Sequence, residues 1–263
     1  AVAAAAGPVV GAAAFPVPGD DRRPRPIGGD RNWSGNKAPS NGDTLLFGGT
    51  TRLTPFNNVA SGTFASIGFL PGAGAFTIGG NPLTLSGTNG LLLSNSSTNL
   101  QTLNLAIALA VPSGTIAATA GDFALGGVLS GTANLTFTGR TTTLSGANTF
   151  TGSTTIASGT VAVSSVVVTG GTSHLGNATS AVVLGDATTQ GTLAYGGTTA
   201  TYVRGFRVSG GGGRLDVTTA GQTLTIGTGN VTGAGVFTVG GAGNVTVTST
   251  VAGVSGLTMA GTG

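Results

Sequence analysis

Four carboxylates in the body of the chain, Asp43, Asp122, Asp186 and Asp216, are the side chains with most chemistry to offer. Cleavage of a polysaccharide, or calcium binding in its service, needs carboxylates in pairs with a basic residue at the bond to be broken. These four are 30 or more residues apart, and residues 53–121 and 217–263 carry no charged side chain at all. His174 is the sole histidine. A Ser-His-Asp arrangement with Asp186 can be drawn, but the strained G-x-S-x-G turn that exposes a nucleophile is missing, so a histidine in a surface turn is the simpler reading. There is no cysteine, hence no thiolate nucleophile, thiolate metal site or disulfide. The run Gly210–Gly213 is not followed by Lys-Ser/Thr or by a helical pattern, and it reads as a loop, not a phosphate cradle. The calcium nonapeptide G-G-x-G-x-D is absent as well. These residues predict a non-enzyme without metal or cofactor.

The one notable polar cluster of the body is Tyr195, Tyr202, Arg204, Arg207 and Arg214. It reads either as a contact for an anionic glycan or another partner, or as an outward strand face or a bend between stacks. A second group of cations, Arg22, Arg23, Arg25, Arg31 and Lys37, is mixed with Asp20, Asp21 and Asp30. The pI of about 10.2 arises from scarcity of charge, since only 6% of residues are charged and the net charge is +3. A phosphate-binding stripe needs clustered cations interleaved with aromatics, so nucleic acid is not an expected partner.

The scaffold for these residues must be all-β. The chain has 50 Gly, abundant Thr, no Glu and a single lysine, and 39% of it is hydrophobic, which is enough to bury a core. Apolar residues alternate with a period of two in TFASIGF (63–69), GAFTIGG (74–80), NPLTLSG (81–87), QTLNLAIAL (101–109), ANLTFTG (133–139), QTLTIG (222–227) and NVTVTS (244–249), each read as a strand. Equivalent positions return after about twenty residues: Leu125 to Leu144, Leu144 to Val163, and Ile226 to Val247. That spacing predicts a parallel β-helix, a β-solenoid, of roughly eleven coils and about 50 Å. An antiparallel sandwich is the alternative, but Asn-Gly hairpin signals occur only at 41–42 and 89–90. All ten prolines occur by Pro112, which predicts an uninterrupted stack beyond it, and ten Phe from Phe47 to Phe237 are candidates for the core.

Residues 1–31 form an extended Ala/Pro-rich N-terminal arm, read as a tail or as a strap that docks through Val9, Val10, Phe15, Val17 and Ile27. Its opening AVAAAAGPVVGAAAF lacks a basic n-region and is broken by Pro8, as in a processed N-terminus. Residues 32–50 are read as the N-terminal cap and first strand, with Trp33, Pro39 and Phe47 closing the core, and 51–263 as the coils. No run of 18 apolar residues forms a membrane-spanning helix. The closing GLTMAGTG matches the register of NLTFTGR (134–140), and no closing cap is visible, so a longer solenoid or end-to-end stacking is expected.

The stretch TTTLSGANTFTGSTTIASGTVAV (141–163) closely resembles the autotransporter-associated β-strand repeat, also called the passenger-associated transport repeat. Leu144, Gly146, Asn148, Thr149, Gly152, Thr154, Ile156, Gly159 and Thr160 fit its pattern, with Phe150 where Tyr is usual, Ser153 for a frequent Gly and Val161 for Leu. NWSGNKAPSNGDTLLFGG and residues 191–227 resemble the family more loosely. The resemblance implies a right-handed parallel β-helix in a passenger that is secreted or displayed on a bacterial cell surface through an outer-membrane translocator, structural or adhesive, with the repeat assisting export; it implies no catalytic residues.

The expected function is therefore that of a structural or adhesive surface passenger whose neutral Thr/Ser/Asn exterior meets water or surface glycans. A self-assembling extracellular filament or sheath, through coil stacking or arm exchange, is the rival. Ice binding is a third class, suggested by Thr136-Phe137-Thr138 and Thr246-Val247-Thr248, although such pairs look scattered. The N-x-S/T sites at Asn32, Asn95, Asn134, Asn177, Asn230 and Asn244 follow from Asn- and Thr-rich turns.

Overall fold

The computed structural model describes residues 9–10, 26–29, 33, 37–87, 90–166 and 173–263. Among them are 28 strands and no helix. Every strand pairing is parallel, and each strand is paired with its counterpart one coil away. The strands are short because the apolar alternation is short. Leu83–Leu85 and Phe123–Leu125 bury their first and last residues and half-expose the middle one, so a three-residue strand offers two side chains to the core and one to solvent.

Each coil visits three faces in turn. An eleven-stranded sheet and a ten-stranded sheet run the length of the rod, and the third face is split into a four-stranded sheet, from Gly62–Phe64 to Leu129–Gly131, and a three-stranded sheet, from Ala200–Tyr202 to Asn244–Val247. Between them, in the coils carrying Thr154–Ile156 and Val182–Leu184, the third face has no ladder strand among the described residues. The absence of proline beyond Pro112 thus leaves two faces uninterrupted and the third broken.

The three expected returns are Cα partners in the ladder: Leu125 with Leu144, Leu144 with Val163, and Ile226 with Val247. The coil count is nine, not eleven, because corner lengths vary: Leu135 pairs with Thr154, 19 residues on, whereas Thr155 pairs with Val183, 28 residues on. Nine coils correspond to a rod of about 43 Å. TFASIGF and QTLNLAIAL each make two strands, not one, with the bends at Ala65 and at 104–106. A corner can turn the chain onto a new face without breaking the apolar alternation, so periodicity alone runs through it.

The core is one continuous column. Phe47, Phe69 and Phe76 have ring centroids 5.4 to 5.9 Å apart, and Phe69 reaches Phe123 at 6.0 Å. Farther along, Tyr202, Phe206 and Phe237 stack at 4.8 and 6.1 Å. Each such ring contributes about 1.5–3 kcal/mol by leaving water. Phe56 is the exception among the ten candidates, 37% exposed at an outer edge. At the far end Leu257 and Met259 are 58% and 71% exposed, although Phe237 and Val239, their partners one coil earlier, are buried. This last strand, Gly256–Met259, lies in the ten-stranded sheet, whereas Asn134–Gly139 lies in the eleven-stranded one, so the two do not share a register.

Candidate functional site

The N-terminal end of the rod has its edges covered by separate segments. Val9–Val10 pairs with Thr44 and Leu45 on the eleven-stranded sheet. Pro26 bridges to Phe56 on the ten-stranded sheet, and Ile27 N–H donates to Phe56 O at 2.8 Å. On the third face Gly42 N–H donates to Thr63 O, and Asn41 Oδ1 accepts from Thr63 N–H. Trp33 fills the interior between them: it is buried, its ring lies 5.7 Å from Phe47, and its Nε1–H donates to Ile27 O at 2.7 Å. Pro39 is half-buried beside the turn in which Asp43 Oδ2 accepts from Ser40 N–H. Phe15 and Val17, the remaining arm anchors, Asn32, and the charged residues at 20–25, 30 and 31 lie outside the described residues.

The 141–163 motif crosses the place where the third face loses its ladder strand. Leu144, Phe150, Thr154 and Ile156 are buried, while Thr149 is exposed and Thr160 half-buried. Asn148 replaces the missing strand with its side chain. Its Oδ1 accepts from Leu129 N–H in the coil before at 2.8 Å, and its Nδ2 donates to His174 O in the coil after at 2.7 Å. The flanking backbone follows suit, with Thr149 N–H donating to Leu129 O and Thr151 N–H to Gly131 O. The glycines answer to close backbone approach: a methyl at Gly152 would collide with Ala133 O, and one at Gly146 with Gly127 O. Gly159 has a φ of +71° and also lies against Gly139 O, so both conformation and space exclude a side chain.

The five-residue Tyr/Arg cluster is not one surface. Tyr195 and Tyr202 are buried, Tyr195 donating through its hydroxyl to Thr198 O, and burial pushes both phenols above the ordinary tyrosine pKa. Arg204 is 5% exposed, with Nε donating to Ser180 O at 2.8 Å and Nη1 to Leu175 O at 2.9 Å. Burial holds its guanidinium below the usual arginine range. Only Arg207, exposed, and Arg214, half-exposed and paired with Asp216 at 2.7 Å, look outward. An outward contact built from all five is therefore corrected to an interior group and two separate surface arginines. Strict alternation carried the signal, because Tyr202, Arg204, Phe206 and Val208 share one parity and Arg207 the other.

Asp216 is taken up by Arg214, and the other carboxylates are occupied with backbone. Asp122 accepts from Thr141 N–H at 3.0 Å, and Asp186 from Thr188 and Thr189 N–H at 2.8 and 2.7 Å, which holds its carboxyl down at about 2. His174 accepts from Ser164 N–H through Nδ1, and partial burial lowers its pKa. It and Asp186 thus serve different turns. No group of three His, Cys, Asp or Glu able to hold a metal is found among the described residues. The glycine run 210–213 is a corner into strand Gly213–Val217, with Gly212 N–H bonded to Ser209 O.

Two features escaped sequence reading. Asn95, Ser97 and Gln101 form a buried polar corner, Asn95 donating to Asn99 O and Asp122 O, Gln101 to Gly74 O, and Ser97 to Ala73 O. Asn95 is fully buried, so glycosylation there is sterically closed. The second is a column on the ten-stranded sheet, Thr141, Thr160, Thr192, Arg214, Thr238 and Thr258, one residue per coil. Beside it a shallow groove of about 240 Å³ is lined by Thr143, Ser145, Ala162, Ser164, Gly196 and Thr218 among others, none of them charged. The Thr-x-Thr pairs at 136–138 and 246–248 lie on different sheets. Comparison with protein-family models, with curated proteins and with solved structures gives no match for this chain.

Proposed function

We propose that this chain is a rod segment of a non-enzymatic, secreted bacterial surface protein, structural or adhesive, whose coils assist its own export and folding. The observation that carries this is the in-register column Leu125, Leu144, Val163, in which each coil presents a parallel ladder edge to the next. A solenoid grows one coil at a time, so each coil folded outside a membrane opposes slippage of the chain back through it. The uncharged groove beside the threonine column supports contact with uncharged glycans more than with phosphate or acidic partners. Leu144→Asp or Ile156→Asp places a charge in the buried column. The expected result is loss of surface display together with loss of protease resistance; unchanged display and resistance overturn the reading.

The second reading, a filament or sheath subunit, draws support from the arm strand Val9–Val10, which pairs with Thr44 and Leu45 at the edge of the eleven-stranded sheet and can be exchanged between chains. The covered edges at that end count against simple head-to-tail stacking there. Electron microscopy of the secreted protein at high concentration separates the two: continuous filaments support the second reading, and dispersed short rods the first.

A further inference from the structure

Around the coil carrying Val182–Leu184, buried polar atoms without partners come from both neighbouring coils: Thr154 Oγ1 from the one before, and Tyr202 Oη and Arg204 Nη2 from the one after, at the end of the third-face strand Ala200–Tyr202. All three belong to residues 5% exposed or less. They gather around Val182. Thr155 pairs with Val183, so Thr154 stands opposite Val182 in the next coil, and Val182 in turn pairs with Phe206. The Tyr202 hydroxyl oxygen lies against Val182 N–H, which is shared with Gly205 O, while the hydroxyl's own proton meets no acceptor. Arg204 is near enough to Tyr202 for the two to interact electrostatically, and its other nitrogens are anchored on Ser180 O and Leu175 O.

The chemistry of the three groups is one-sided. Guanidinium can only donate, and each hydroxyl has a proton to give. Among the described residues no carboxylate acts on Arg204, and its positive charge is answered by the carbonyl dipoles of Ser180 and Leu175. An isolated buried charge is costly unless paired, and an unmet buried donor adds to that cost. A monatomic anion meets both demands at once, because it accepts from several donors without needing to donate. Water would leave the charge uncompensated.

We propose that Arg204, Tyr202 and Thr154 enclose an internal binding site for one small inorganic anion of chloride type, which fastens the coil of Val182–Leu184 to the coils on either side of it. The site is independent of any surface role of the rod.

The test uses the 263-residue chain. Its thermal unfolding midpoint is measured in sodium chloride against sodium gluconate at constant ionic strength, and crystals soaked in sodium bromide are measured at the bromine edge. The expected midpoint rises saturably with chloride, by about 5–10 °C once chloride is a hundredfold above its dissociation constant. An anomalous peak is expected within hydrogen-bond reach of Arg204 Nη2. Tyr202→Phe with Thr154→Val removes two donors while keeping shape, and is expected to shift the chloride dependence at least tenfold to higher concentration. Arg204→Met should abolish it; should that variant not fold, the hydroxyl double variant carries the test. Equal midpoints in both salts, an unshifted chloride response in the double variant, or bromide found only at lattice contacts overturns the proposal.

Discussion

Replacing Asn148 by alanine is the sharpest probe of how the rod stays continuous where its third face breaks. The substitution leaves Leu129 N–H and His174 O without the partners they have at 2.8 and 2.7 Å. An unmet buried backbone group costs about 1–3 kcal/mol, and His174 O is only partly buried, so the two together cost about 2–4 kcal/mol. In a solenoid this loss is felt by neighbouring coils more than by the whole, so the assay is amide hydrogen exchange resolved to single residues. Protection at Leu129, Thr149 and Thr151 is expected to fall by about 30- to 700-fold, the exchange equivalent of that free energy. Asn148→Asp keeps an acceptor for Leu129 N–H but sets a carboxylate against His174 O; it should be worse at pH 7 than at pH 4, where the acid regains a donor. Thr149→Ala, at an exposed position, serves as control and is expected to stay within about 0.5 kcal/mol of the parent. Exchange at Leu129, Thr149 and Thr151 within threefold of the parent in Asn148→Ala would refute the view that this side chain substitutes for a strand.

Gly159→Ala forces a side chain into a left-handed turn against Gly139 O and is expected to cost at least about 1–3 kcal/mol, read as early urea unfolding of the coils around 139–163. Trp33→Ala opens the N-terminal end and removes the bond to Ile27 O, at a cost of about 3–5 kcal/mol; faster proteolysis should begin among residues 37–80 and leave 173–263 intact. Stability should decline at alkaline pH: above about pH 10 the unfolded chain releases the Tyr202 proton while the folded chain keeps it, which favours unfolding. Tyr202→Phe should flatten that decline in a denaturant series from pH 9 to 11. On the acid side His174 resists protonation in the folded chain, so stability should fall as pH drops below about 6.5, where only the unfolded chain takes up the proton. His174→Gln should remove this slope between pH 7 and 5.

Much of the architecture was legible because a solenoid writes its geometry in the sequence twice, as alternation along each strand and as recurrence between coils. Leu144 illustrates both: alternation puts it inward, and recurrence pairs it with Leu125 and Val163. The corners were less legible. Ala65 turns the chain from one sheet to another between two inward residues, Phe64 and Ile67, and its small apolar side chain announces nothing. The polar interior was least legible, because Asn95, Gln101 and Arg204 are buried for the backbone groups they satisfy, and those groups come from coils distant in sequence. Asn148 lay within a recognisable motif, yet its reason for being asparagine appears only once the neighbouring coils are in place.

The break in the third face also sets how the rod would respond to force. Hydrogen bonds between coils run along the long axis, so tension between the ends pulls on them lengthwise and opens them in succession instead of shearing many at once. The joint around Asn148, spanning the coils of Thr154–Ile156 and Val182–Leu184, holds through two sheets and a side chain, where the coils before and after that stretch hold through three sheets. Under load this joint is the fuse. The coil from Thr155 to Val183 would release 28 residues, about 95 Å of extended chain, before coils with three intact faces give way.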